Sequence, residues 1–129
     1  MKNYLGIAVT MITLFLSSFS PNYTIDDVLK AIRSGNASEL AKYFDTRVDI
    51  SLPGNSDNFS KNQAEMILRD FFANNSVKGF QVKHKGENNG SQFCIGVLQT
   101  KNGNFRMKLY MKQKGNEQVV QEIAFQEEE

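Results

Sequence analysis

Tryptophan is absent from this chain, cysteine and histidine occur once each, and proline occurs twice. A single cysteine closes no internal disulfide, so the fold has no covalent staple and depends on burial. One histidine and one cysteine cannot make a zinc site without carboxylates brought from distant positions, and no spacing of Asp or Glu suggests one. An excess of charge is also missing: 15 basic residues face 14 acidic ones. That balance gives no overall case for nucleic acid or a membrane surface as partner. The glycine patterns of a phosphate-binding loop and of a nucleophile elbow are absent too.

Long apolar runs are scarce, and the one present is informative. The chain opens MKNYLGIAVTMITLFLSSFS, with Lys2 ahead of an apolar run from Leu5 to Leu16 and small polar residues after it. This is the order of a secretory signal, and the run falls short of the roughly 20 apolar residues of a spanning helix. Residues 1–20 are therefore expected to be a signal peptide, with the cut between about Ser18 and Thr24. The expected location is exported, periplasmic or extracellular, with no stable membrane insertion after cleavage. Residues 21–126 are expected to form one domain, and residues 127–129 a frayed acidic tail. The sole cysteine, Cys94, lies in an apolar strand pattern and reads as a small buried hydrophobe.

Removing Lys2 leaves 14 basic and 14 acidic residues, unevenly spread. Residues 24–76 carry six basic and eight acidic side chains, residues 77–115 carry eight basic and only Glu87, and residues 116–129 carry five glutamates.

Helical periodicity governs the first half. In TIDDVLKAIRSG, Ile25, Val28, Leu29 and Ile32 form one stripe, with Thr24 placed as a cap and Gly35 as a terminator. Asn36 then caps a second helix, with Glu39 three residues on and Ala37, Leu40, Ala41 and Phe44 as its stripe. The segment SGNASELAKYF is therefore a joint between two helices. RVDISLP, residues 47–53, alternates as a strand, and GNSDNF reads as a loop. Ser60 and Gln63 box the start of a third helix whose apolar set is Ala64, Ile67, Leu68, Phe71 and Phe72. From Phe80 the period changes to two, with Phe80, Val82 and His84 on one face. Turns at GENNGS, KNGN and KGNE divide the rest into four antiparallel strands.

The order is α-α-β-α-β-β-β-β, an α+β chain with three helices in its first half packed on a curved, mostly antiparallel sheet. With Gly35 and Asn36 followed by Leu40, Ala41, Phe44, Val48 and Ile50, and a third helix ending in Phe71 and Phe72, the chain resembles the nuclear transport factor 2-like (cystatin-like) superfamily. Within it, the chain is similar to a family of small exported bacterial proteins of unknown function. The resemblance implies a cone-shaped fold, and members often pair through the outer face of the sheet. It carries over no catalytic residue, because its motifs mark the fold.

A two-residue turn at Asn102 and Gly103 would set Leu98 against Met107, Gly96 against Leu109 and Cys94 against Met111. One face then holds Phe105, Met107, Leu109 and Met111 as a helix-covered interior, and Phe44, Phe72, Leu98 and Met107 are expected in one core. The last strand has two registers. A two-residue turn at Gly115 and Asn116 points Val120, Glu122 and Ala124 inward; a one-residue bulge instead points Val119, Ile123 and Phe125 inward. The candidate pocket-lining residues are Phe44, Ile50, Phe72, Leu98, Met107, Leu109 and Glu122. The candidate interface on the outer face is Phe93, Ile95, Val97 and Tyr110, with Lys108 and Lys112 toward its rim.

The leading expectation is an exported, non-catalytic binding or scaffold domain that holds a small apolar ligand or a protein partner, and pairs as a homodimer through the outer face. No catalytic set, cofactor or metal is expected. The alternatives are an anion-binding surface built on residues 77–115, or an isomerase- or cyclase-like enzyme that uses Glu122 or another inward carboxylate with a tyrosine such as Tyr43.

Overall fold

The computed structural model describes residues 24–128. Three helices, α1 (Ile25–Arg33), α2 (Ala37–Ala41) and α3 (Lys61–Asn75), lie against one sheet of β1 (Phe44–Leu52), β2 (Asn55–Ser60), β3 (Val77–Asn88), β4 (Ser91–Thr100), β5 (Gly103–Lys114) and β6 (Glu117–Glu127). The sheet order is β2-β1-β6-β5-β4-β3, antiparallel throughout except where β1 runs parallel to β6.

The α1–α2 joint has the expected chemistry. Gly35 takes φ +63°, the Gly35 N–H donates to the Ile32 carbonyl at 3.0 Å, and the Asn36 N–H donates to the Ala31 carbonyl at 3.0 Å. These two bonds form a Schellman motif and satisfy the last carbonyls of α1. The Asn36 side chain accepts from the Glu39 N–H at 3.0 Å, so one residue closes α1 and opens α2. Ser60 and Gln63 form the capping box of α3.

Three local readings change. First, α2 stops at Ala41, and Phe44 begins β1. Strand pairing wins there: the Val120 N–H donates to the Tyr43 carbonyl at 2.7 Å, and Phe44 pairs with Val120. Second, the segment read as a loop after Gly54 is the edge strand β2. Its asparagine- and serine-rich sequence has poor strand propensity, but cross-strand side chains hold it. Asn58 donates to Asp49 at 2.8 Å and accepts from Arg47, and Ser51 meets Ser56 at 2.8 Å. Pro53 and Gly54, with Gly54 at φ +82°, make the tight turn between the two strands. Third, the tail is partly ordered by β5, since Glu127 pairs with Phe105 and the Glu128 N–H donates to the Asn104 carbonyl at 3.0 Å. The expected signal peptide, residues 1–20, lies outside the described residues.

The β4–β5 register is two residues from the expected one. Thr100 pairs with Gly103, Leu98 with Phe105, Gly96 with Met107 and Cys94 with Leu109, so the tip is Lys101 and Asn102. The tip is drawn onto the end of α3, where the Asn102 amide donates to the Asn74 carbonyl at 3.0 Å and the Lys101 N–H donates to the Asn75 carbonyl at 2.9 Å. A two-residue slip preserves the faces, and Phe105, Met107, Leu109 and Met111 are all buried.

Bulges set the faces of β3 and β6. At Lys83 an extra residue separates the Val82–Gly96 pair from the His84–Ile95 pair. His84 therefore moves to the face opposite Phe80, and Lys85 turns toward α1, where its ammonium meets Asp26 at 2.9 Å. In β6, Met111 pairs with Val120 but Tyr110 pairs with Glu122, leaving Gln121 as the extra residue. The chain thus uses both the two-residue turn and the bulge. Val120, Ile123 and Phe125 point inward, and Val119 and Glu122 point outward. Such bulges bend and twist the strands that carry them.

Candidate binding surfaces

The concave side of the sheet is filled. Phe44, Ile50, Phe72, Leu98, Met107 and Leu109 belong to one buried cluster with Val28, Ile32, Leu40, Leu68, Met111, Ile123 and Phe125. Phe71 stacks on Phe125 with ring centroids 4.9 Å apart and meets Phe105 edge-on at 5.1 Å. These six sequence-selected residues build the core, and none of them lines the surface clefts described below. Glu122 departs from its expected place. The Gln121 bulge turns it to the outer face, where its carboxylate lies 3.4 Å from the Lys108 ammonium. It is not a pocket carboxylate. Tyr43, the tyrosine considered beside it, borders a cleft of about 380 Å³ between α1 and α2. Thr100 is the only buried polar residue among the described residues, and its hydroxyl bonds the Gly103 carbonyl at 2.6 Å. The Cys94 thiol is fully buried, and that burial pushes its pKa up.

Among the described residues no helix lies over the outer face of the sheet. Phe93, Ile95 and Val97 follow one another on β4 and pair with Tyr110, Lys108 and Arg106 on β5. Phe93 and Ile95 are half-buried, Val97 is buried, and Tyr110 is 36% exposed. The four interface candidates therefore share one face, and the His84 ring joins them 5.4 Å from Phe93. Tyr110 is held in place by a 3.0 Å hydrogen bond between its hydroxyl and Ser91. Charge is mixed across this face: Arg106, Lys108 and Lys112 stand on β5, Glu122 stands on β6, and Asp49 and Arg47 stand together on β1, where both bond Asn58.

At the β1–β6 boundary, Asp45 sits in an irregular stretch of the parallel pairing. Its carboxylate accepts from the Lys114 ammonium at 2.8 Å, the Thr46 N–H at 2.7 Å and the Gln121 amide at 3.3 Å. The Lys114 hydrogen bond, helped by those from Thr46 and Gln121, holds the carboxyl below its ordinary range against the opposing effect of burial.

Sequence reading gave no sign of a cleft of about 370 Å³ between α3 and the ends of β1, β5 and β6. It is lined in part by Leu52, Ile67, Asp70, Phe71, Phe105 and Glu127. The signal was faint, because the cleft exists only where β1 leaves the sheet. Among the described residues no group of three or more His, Cys, Asp or Glu could hold a metal ion.

The family model for a domain of unknown function, DUF4783, matches residues 25–126. A crystal structure of a DUF4783 family protein from Bacteroides uniformis is 34% identical with a TM-score of 0.80, covering 83% of this chain and 99% of that one. Another, from Bacteroides ovatus, is 35% identical with a TM-score of 0.77, covering 80% of this chain and 94% of that one. A nuclear transport factor 2-like protein of unknown function from Cytophaga hutchinsonii shares the fold at 9% identity and a TM-score of 0.61, covering 83% of this chain and 92% of that one. A comparison with curated proteins finds no match. With the family model spanning the whole described sheet and its helices, the chain belongs to the DUF4783 family of domains of unknown function, built on a nuclear transport factor 2-like fold.

Proposed function

We propose that this is a non-catalytic binding or scaffold domain whose working surface is the outer face of the sheet, and that the first occupant of that face is a second copy of the chain. The observation that carries the reading is the line of Phe93, Ile95 and Val97 on β4, beside Tyr110, on a face with no helix over it. A solvated antiparallel face alternates to polar side chains at such positions, and here half-buried Phe93 and Ile95 beside Tyr110, 36% exposed, leave apolar surface for a partner.

A second copy fits because a two-fold interface must be complementary to itself. A two-fold axis between β4 and β5, along the strands, lays the Phe93, Ile95 and Val97 line of one copy over Tyr110 and the lysine stems of the other. The stems of Lys108 and Lys112 can lie along the apolar strip while their ammonium groups stay in water. The anion-binding alternative is weaker, because three of the eight basic residues of 77–115, Lys85, Lys108 and Lys114, already meet carboxylates. The enzyme alternative loses its named carboxylate with Glu122 on the outer face. We place the working protein outside the cytoplasm, on the charge, apolar and small-residue order of residues 1–20. N-terminal sequencing of chain recovered from the exported fraction checks this, and recovery only in the cytoplasm with Met1 intact refutes it.

Light scattering of residues 21–129 is expected to give a dimer at high micromolar concentration. The variant carrying Ile95→Glu and Tyr110→Glu is expected to be a folded monomer. A monomer in the unmodified protein at that concentration rules the pairing out.

A further inference from the structure

β1 and β6 run side by side only as far as the Ser51–Ala124 pair. β1 then turns away at Pro53 and Gly54, while β6 continues beside β5 to Glu127. The gap left between the strand ends and the C-terminal half of α3 is the cleft of about 370 Å³. That volume is at the small end of ligand sites. Leu52 on one side, Ile67 and Phe71 on the α3 side, and Phe105 give it apolar walls, and Asp70 and Glu127 give it two carboxylates. No lysine, arginine or histidine lines it. Among the described residues neither carboxylate enters an ion pair.

We infer that this cleft is a binding site for a small organic cation with an apolar body. The ammonium head is held by Asp70 and Glu127, and the body lies on Leu52 and Ile67. Both carboxylates are exposed, so their attraction for an ammonium is that of a solvent-screened ion pair, and the apolar walls add the burial of the body. Among the described residues no third carboxylate, histidine or cysteine joins these two in a metal-binding group, which disfavours a hard divalent ion. A neutral apolar ligand gains the walls but leaves both charges uncompensated. The inference is independent of self-association, because none of Phe93, Ile95, Val97 and Tyr110 lines the cleft.

Hexylammonium and 1-hexanol share an apolar tail and differ in the charge of the head, so they separate the two contributions. Each is titrated into the ¹⁵N-labelled domain and followed by NMR. Hexylammonium is expected to shift the amides around Ile67, Phe71 and Glu127, with an affinity about fivefold above that of hexanol, the upper worth of a solvent-exposed ion pair. Asp70→Asn and Glu127→Gln are each expected to weaken hexylammonium several-fold and leave hexanol unchanged. Both side chains are exposed, so the variants keep the fold, and their spectra verify it. Added salt is expected to weaken hexylammonium alone. Equal affinity for the two probes, no binding of hexylammonium, shifts confined to another surface, or indifference to both substitutions overturns the inference.

Discussion

The ring of Phe80 on β3 lies across Gly96 on β4. A methyl group at Gly96 would come within 2.9 Å of Phe80 Cε1 and 2.6 Å of the Gln81 carbonyl oxygen. On the other face the ring of Phe93 on β4 lies across Gly86 on β3, where an added Cβ would stand 2.6 Å from ring carbons. Each strand thus gives a glycine to one face and a ring to the other. The Lys83 bulge makes this reciprocity possible, since without it Gly86 would share the face of Phe80.

Gly96→Ala is therefore expected to destabilise the fold by about 1–3 kcal/mol, the usual cost of forcing a group into a packed interior. Part of what it meets is a backbone carbonyl, which cannot swing aside. Gly86→Ala is expected to cost less, because it meets only the Phe93 ring on the helix-free face. Urea unfolding of the two variants gives the order, and a larger loss at Gly86 would contradict it.

Phe72 is 4% exposed and packs edge-on against Phe125, with ring centroids 6.0 Å apart. Phe72→Ala leaves a cavity between α3 and β6 and is expected to cost about 3–5 kcal/mol. A loss under about 1 kcal/mol in the same measurement would mean that the core closes around the missing ring.

Asp45 gives the fold a definite pH response. Its carboxyl pKa is lower folded than unfolded, chiefly through the Lys114 hydrogen bond. The folded state therefore binds fewer protons at this site, and the stabilisation is fully present above the unfolded pKa of about 3.9. It is lost as pH falls through the folded value. The Lys114 side chain is 60% exposed, so the pair contributes only about 0.2–1 kcal/mol. Asp45→Asn is expected to be less stable than the parent at pH 7 and to converge with it in acid, as the folded-state carboxyl of the parent becomes protonated. A stability difference unchanged between those two conditions would remove the charge from the explanation.

Cys94 is fully buried and its thiol is held protonated by that burial. Because the thiolate is the reactive form, an aromatic disulfide reagent is expected to label it at the rate of unfolding rather than of collision. Labelling should become fast in denaturant. Rapid labelling of the native protein would show that β4 opens locally.

Helix joints were legible because each is fixed within a few residues: Gly35, Asn36 and Glu39, or Ser60 and Gln63, carry their whole instruction locally. The alternation of Phe105, Met107, Leu109 and Met111 also survives a register slip of two. What escaped depends on partners distant in sequence. β2 is a strand because Asn58 and Ser56 find Asp49, Arg47 and Ser51, and Phe44 leaves its helix because Val120 is available. His84 and Glu122 changed faces through single bulged residues that leave no mark in composition. The cleft beside α3 follows from β1 leaving the sheet after Ser51, which no short window of sequence contains.

The bulge at Gln121 makes the last register a matter for experiment. Deleting Gln121 leaves Val120 opposite Met111 and Glu122 opposite Tyr110, so every inward and outward assignment is kept. The strand becomes regular and loses only the amide that Gln121 gives to Asp45. That variant is expected to fold with a loss of about 1 kcal/mol, the worth of one hydrogen bond. Deleting Val119 removes the same number of residues from the same strand. With the turn and the Tyr110–Glu122 pair retained, Val120 then moves outward and Gln121 takes its place against the core. The change exposes a valine and buries an amide, and its expected cost is about 3 kcal/mol or more. Thermal unfolding of the two deletions, with amide spectra to confirm the fold, compares them directly. Equal losses would show that β6 reaches the core through a different register from the one that turns Glu122 outward.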